Sequence, residues 1–179
     1  LPLLGLDPAL ASIVAVRASD AAASLSVLPS DATLVLIAHG SNREPASKIA
    51  AETLAERLVA LKTFAAVRVA FLEQCPSLGT ALSPDTRPAV IVGLFAGEGR
   101  HGGIDIARTI AALERRDVAF AGNAGTWPEI VQIVASAVER GIQSIAVAGM
   151  SATRDGDPTF TELPVSSGVV RSRPSAESV

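Results

Sequence analysis

Hydrophobic positions fall along this chain in short blocks that change period. Residues 34–38, Leu-Val-Leu-Ile-Ala, form an apolar run that stops abruptly at His39-Gly40-Ser41. A run without alternation, bounded by turn residues, suits a strand buried on both faces of a parallel sheet; it predicts a first strand over residues 33–38. Ser41-Asn42-Arg43-Glu44 has capping-box spacing, and Pro45 suits a first helical turn. The helix that follows is predicted to bury Ile49, Leu54, Leu58 and Leu61. Residues 66–72 read as a second strand that delivers Glu73, with a short helix after Pro76. Residues 89–95 read as a third strand, followed by a glycine-rich loop and a helix from about Ile104 to Arg116. Residues 118–121 are a fourth strand. Residues 128–140 are a helix stopped by Gly141, and residues 144–148 a fifth strand.

The segment before the first strand repeats a later one. Gly5-x-x-Pro8-x-Leu10-x-x-Ile13-Val14-Ala15 matches Gly125-x-x-Pro128-x-Ile130-x-x-Ile133-Val134-Ala135 at a constant offset of 120. Repeats of this kind point to duplicated units. Residues 1–30 are therefore expected to be a helical segment, either an ordinary proline-started helix or the remnant of a preceding repeat half, residues 31–150 the main α/β domain, and the proline- and serine-containing residues 151–179 a polar tail.

Strands alternating with helices imply a parallel sheet of four to five strands with helices on both faces. All strands then point one way, so His39, Glu73 and the loop carrying His101 emerge at a single sheet edge, where open α/β sheets bind ligands. Two imidazoles and a carboxylate are a credible set for a divalent metal. The loop Gly97-Glu98-Gly99-Arg100-His101-Gly102 also satisfies G-x-G-x-x-G, so a dinucleotide-binding oxidoreductase is a distant alternative. Against it, the loop follows the third strand and lacks an acidic residue at the end of the next one. Ser41 lies outside any Gly-x-Ser-x-Gly elbow and reads as a helix cap beside the site. Cys75 reads as a packing residue.

Composition narrows the function classes. The 179 residues include 49% hydrophobic and 18% charged residues, as in a compact domain with a real core. A net charge of −3, a pI near 5.4 and 3% aromatic residues argue against a nucleic-acid partner. No apolar run approaches the ~18–20 residues of a membrane span. The single cysteine excludes an internal disulfide and fits a cytoplasmic setting.

Four landmarks in order carry a family resemblance: His39-Gly40-Ser41, Ala70-Phe71-Leu72-Glu73-x-x-Pro76-Ser77-Leu78, Gly99-x-His101-x-x-x-Asp105-Ile106, and the Gly125-x-x-Pro128 helix start. Across about residues 32–140 the chain resembles the sirohydrochlorin cobaltochelatase family of class II tetrapyrrole chelatases, in its small form. Ala107 stands where the family usually has proline after the Asp-Ile pair. The resemblance implies a chelatase-like three-layer sandwich and a cytoplasmic enzyme that inserts a divalent metal, Co²⁺ above all, into sirohydrochlorin during cobalamin synthesis. It implies that His39 and His101 bind the metal and that Glu73 is the active-site glutamate. No organic cofactor is implied. Ser41, Arg43 and Arg100 stand beside these groups as candidate substrate contacts, the arginines as clamps for the macrocycle's carboxylates. Family members work as paired halves, so a homodimer or a second repeat half is the expected partner. Iron or nickel insertion, or metal and tetrapyrrole binding without catalysis, are the neighbouring readings.

Overall fold

The computed structural model describes residues 7–40, 45–83 and 85–152. Helix α1 (Pro8–Ser24) leads through a short 3₁₀ turn into β1 (Thr33–Ala38). Then follow α2 (Ala46–Leu61), β2 (Ala66–Phe71), α3 (Leu78–Leu82), β3 (Ala89–Gly93), a π-helical segment (Arg100–Asp105), α4 (Ile106–Ala111), β4 (Val118–Asn123) and α5 (Pro128–Ala152). The four strands form one sheet in the order β2-β1-β3-β4, with every neighbouring pair parallel. The chain divides into two compact units, residues 1–143 and 144–179. The sheet belongs to the first, and the described part of the second is the last turns of α5.

The central strands explain the unbroken apolar run. Leu34 and Leu36 of β1, with Val90 and Val92 of β3, pack in one cluster with α1, α2 and the start of α5. Val35, Ile37, Ala89 and Ile91 point the opposite way and pack with Leu78, Ala81 and Leu82 of α3 and Ile106 of α4. Successive side chains of a strand alternate faces, so a strand covered on both sides must be apolar throughout. The result is the three-layer α/β sandwich that the resemblance implied.

Three expectations are corrected. The predicted fifth strand, residues 144–148, lies inside α5, which runs through Gly141 without stopping. A run with four apolar residues, Ile145 to Ala148, has no period of its own, and this one continues the helix before it. In α2 the buried positions are Ala51, Leu54, Ala55 and Leu58, whereas Ile49 and Leu61 are exposed. The sheet-facing stripe is thus narrower, and alanines let the helix approach closely. The helix expected from Ile104 to Arg116 is a π-helical segment followed by six residues of α4, and its end is marked by Glu114 at φ 52. The predicted Ser41–Glu44 capping box lies outside the described residues.

Helix α1 is built into the main core: Leu10, Ala11, Val14, Ala18 and Ala22 are all buried against the sheet. At the offset of 120, α5 behaves differently. Ile130 and Ile133 are buried, as Leu10 is and Ile13 partly is, but Val131, Val134, Val138 and Ile142 are 42–71% exposed. Their α1 equivalents Ala11, Val14, Ala18 and Ala22 are at most 4% exposed. No described helix is long and apolar enough to cross a membrane.

Candidate metal-handling site at the sheet edge

The strand order dictates where a site can form. From β1 the chain crosses to β2 on one side, then passes back over β1 to reach β3 on the other. The carboxyl ends of β1 and β3 therefore flank the crevice of a topological switch point. His39 directly follows β1, and His101 lies in the π-helical segment that comes after β3.

Backbone pairing beyond the strands brings in the third group. Leu72 N–H donates to Ala38 O at 3.0 Å and Glu73 N–H to His39 O at 3.1 Å, extending the β1–β2 ladder by two residues. Gly40 makes this close approach possible. It has φ +71, and a Cβ there would meet Gln74 Cγ at 2.7 Å and Phe71 Cβ at 2.9 Å. Glu73 Oε2 consequently lies 3.7 Å from His39 Nε2, beyond hydrogen-bond distance but within ion-pair range.

The two histidine rings face each other with centroids 4.5 Å apart and planes inclined by 38°. His101 Nδ1 is 2.9 Å from Asp105 Oδ2, four residues on. A carboxylate on Nδ1 stabilises the tautomer that carries the proton there and leaves Nε2 as the lone-pair nitrogen. Among the described residues, His39 Nδ1 is buried without a hydrogen-bond partner. The imidazoles and Glu73 remain substantially exposed, His39 at 39% and Glu73 at 58%. No group of three or more described carboxylate, histidine or cysteine side chains closes into a cage for a metal ion.

Beside this cluster is a cavity of about 350 Å³ lined by Leu72, Glu73, Arg100, His101, Asp105, Arg108 and Thr109. On the α1–α2 side, a separate apolar cavity of about 240 Å³ is lined mainly by Ala38, Leu54, Leu94, Phe95, Ala96 and Ile130.

The structure thus brings His39, His101 and Glu73 together and puts Arg100 on the wall of the same cavity. Ser41 and Arg43 lie outside the described residues. The G-x-G-x-x-G stretch does not make the tight strand-to-helix turn of a dinucleotide site; its second half enters the π-helical segment. Cys75, expected to pack, is exposed. Sequence reasoning gave no role to Asp105, Arg108 or Asn123. The spacing of His101, Asp105 and Arg108, four and then three residues, was the available signal that they share a helix face. Asn123 had none, because its partners lie 21 and 25 residues away.

Comparison with known proteins decides the family. The family model for CbiX matches residues 33–147, well over half of the chain. The chain belongs to the CbiX family. Solved structures that share its fold include the following three. One is a CbiX described as the terminal enzyme of siroheme biosynthesis in denitrifying bacteria (TM-score 0.64, 23% identity, 75% of this chain and 58% of that one). The second is SirB from Bacillus subtilis, solved with Fe³⁺ (TM-score 0.60, 24% identity, 71% and 51%). The third is a Marinobacter aquaeolei VT8 protein assigned to cobalamin (vitamin B12) biosynthesis as CbiX (TM-score 0.54, 23% identity, 64% and 98%). The chain spans between half and three fifths of the first two. No curated protein matches the sequence.

Proposed function

We propose that this CbiX-family chain is a chelatase that inserts a divalent metal, Co²⁺ first among them, into sirohydrochlorin in cobalamin biosynthesis. The observation that carries the reading is the facing pair His39 and His101 at the switch point, with Glu73 against His39. A chelatase has to hold an ion, strip part of its water and then release it. Two neutral imidazoles bind Co²⁺, Ni²⁺ or Fe²⁺ with moderate strength, where a thiolate cage would trap the ion. As the ion enters, four metal–nitrogen bonds form and the two N–H bonds of the macrocycle break, so two protons must leave it. Glu73 and the histidine nitrogens are the bases within reach, and positioned bases contribute ~10²–10⁴-fold. The cavity beside His101 supplies Arg100 and Arg108 for the carboxylates of the macrocycle, contacts that an acidic protein has to provide locally.

The test is anaerobic incubation with sirohydrochlorin and Co²⁺, followed by absorbance. The wild-type chain turns over, and His39→Ala and His101→Ala each lower the rate by at least ~10²-fold. Binding without turnover would instead make the protein a metal or tetrapyrrole carrier. A siroheme enzyme and an Fe³⁺-bound SirB among the structures of this fold favour one second reading, iron insertion. Competition between Co²⁺ and Fe²⁺ at equal free concentration separates the two.

The reading includes a second half as partner, either another copy of the chain or a repeat unit, and a cytoplasmic location. The exposed stripe Val131, Val134, Val138 and Ile142 supports the pairing, because the same register of α1 is buried on an α/β sheet. Sedimentation that shows only monomer at all concentrations would count against a homodimer.

A further inference from the structure

We infer that Asn123, at the end of β4, is the positioning residue that holds His101 at the site, an inference that rests on the proposed metal-binding role of that histidine. His101 has a difficult setting for a precise ligand. It is the second residue of the short π-helical segment, in a stretch with glycines at 97, 99, 102 and 103, and glycine loses more conformational freedom on ordering than any other residue. A contact from outside this stretch helps to fix it.

Asn123 is fully buried. Its Nδ2 donates to Glu98 Oε1 at 2.9 Å and to Gly102 O at 2.9 Å. Glu98 is on the outgoing leg of the loop, and Gly102 is the residue after His101 on the returning leg. One amide nitrogen therefore ties both legs together. Both partners are acceptors, which defines the amide orientation: only the NH₂ group, with two donors on one planar atom, can serve them.

The surrounding sequence makes room for this contact. Gly93 of β3 stands opposite Asn123 in the strand register, where the β3–β4 ladder is irregular. A Cβ on Gly93 would overlap Asn123 Oδ1, and one on Gly102 would overlap Gly97 O. The first residues of the loop are pinned by the same end of β4, since Gly125 N–H donates to Phe95 O at 3.0 Å. Asn123 and its neighbours thus fix where the loop backbone lies, and Asp105 then fixes the rotation of the His101 ring. Glu98 is consequently engaged in holding the loop.

The sharpest perturbation is Asn123→Asp. It keeps the shape but turns an oxygen toward Glu98 and Gly102 O where donors are required. Two readouts are used, each on the full chain at fixed pH. Titration with Co²⁺ alone reports affinity, and the Cε1–H resonances of the only two histidines report ring placement. Loss of an outer partner of a metal-binding histidine typically costs 10–100-fold in metal affinity. The expected result is a loss in that range, with both histidine resonances displaced because each ring lies against the other. Glu98→Gln combined with Asn123→Asp returns a donor to one of the two bonds and recovers part of the loss, which a merely structural role would not predict. Wild-type affinity and unmoved histidine resonances in Asn123→Asp would overturn the inference. Should that variant fail to fold, Glu98→Ala decides: it removes one bond at an exposed side chain, and an affinity within twofold of wild type sinks the idea. If the unmutated chain binds no Co²⁺, the proposed function fails, while the histidine resonances still report whether Asn123 positions His101.

Discussion

The two ends of the sheet treat polar groups in opposite ways. At the amino-terminal end, Asp85 is buried and fully engaged. Thr33 Oγ1 donates to its Oδ2 at 2.6 Å, and Arg87 donates from Nε to Oδ1 and from Nη2 to Oδ2, both at 2.9 Å. Arg68 approaches Oδ2 at 3.5 Å, and Arg115 bridges the Asp85 carbonyl and the Asp117 carboxylate. The Arg87 hydrogen bonds hold the Asp85 carboxyl far below the usual carboxylate range, against the opposing effect of burial. Arg115 lowers Asp117 in the same way. At the carboxyl end, His39 and Glu73 are 3.7 Å apart and substantially exposed, and Arg100 and Arg108 line a cavity without a carboxylate partner among the described residues. Saturated charges lock the strand starts together. Unsaturated ones are left where a ligand can complete them. A polar group already fully bonded has little to offer a substrate, so this difference supports the proposed site more firmly than residue type does.

Three changes test that contrast, from the largest expected effect to the smallest. Asp85→Asn should destabilise the fold by about 2 kcal/mol at pH 7, because charge-assisted hydrogen bonds are lost at a buried site. Asp85 has a folded pKa below its unfolded one. Its contribution is therefore fully present above the ordinary carboxyl pKa near ~4 and is lost as pH falls further toward the depressed value. Urea denaturation from pH 7 to pH 3 should show the gap between wild type and Asp85→Asn closing below about pH 4. A gap that widens on acidification would contradict the assignment. At the other end, Asp105→Asn should leave the denaturation midpoint nearly unchanged but weaken Co²⁺ binding roughly tenfold, because the carboxylate that steadies His101 Nδ1 loses its charge. Equal affinity of the two proteins would remove Asp105 from the site. Arg108→Ala should have the mildest effect, a few-fold rise in KM for sirohydrochlorin with kcat retained, as expected for binding shared by ground state and transition state. A fall in kcat with KM unchanged would move Arg108 from substrate holding to the chemistry.

The expectations that held share a physical basis, and so do those that failed. The first strand was legible to the residue because burial on both faces demands an unbroken apolar run. The meeting of His39, Glu73 and His101 was legible because parallel strands deliver their ends to one edge. Residues 144–148 were misread because a short apolar run is compatible with strand or helix, and only its continuity with the helix before it decides. Ile49 and Leu61 were misread because an apolar residue at helical spacing is not obliged to face the core; the narrower stripe set by Ala51 and Ala55 faces it instead.

By itself, the sequence determined the α/β class, the direction in which the strands run, the candidate histidines and glutamate, and the matching α1 and α5 motifs. These depend on local period and on chain order. Only the tertiary structure decided which side chains finish one another's hydrogen bonds. The links of Asn123 to Glu98 and Gly102, and the engagement of Asp85 by Thr33 and Arg68, depend on strand order and on register between distant segments. The 4.5 Å separation of the histidine rings belongs to the same class. It follows from β1 and β3 lying side by side with β2 displaced to the edge, a packing outcome that no stretch of sequence displays alone.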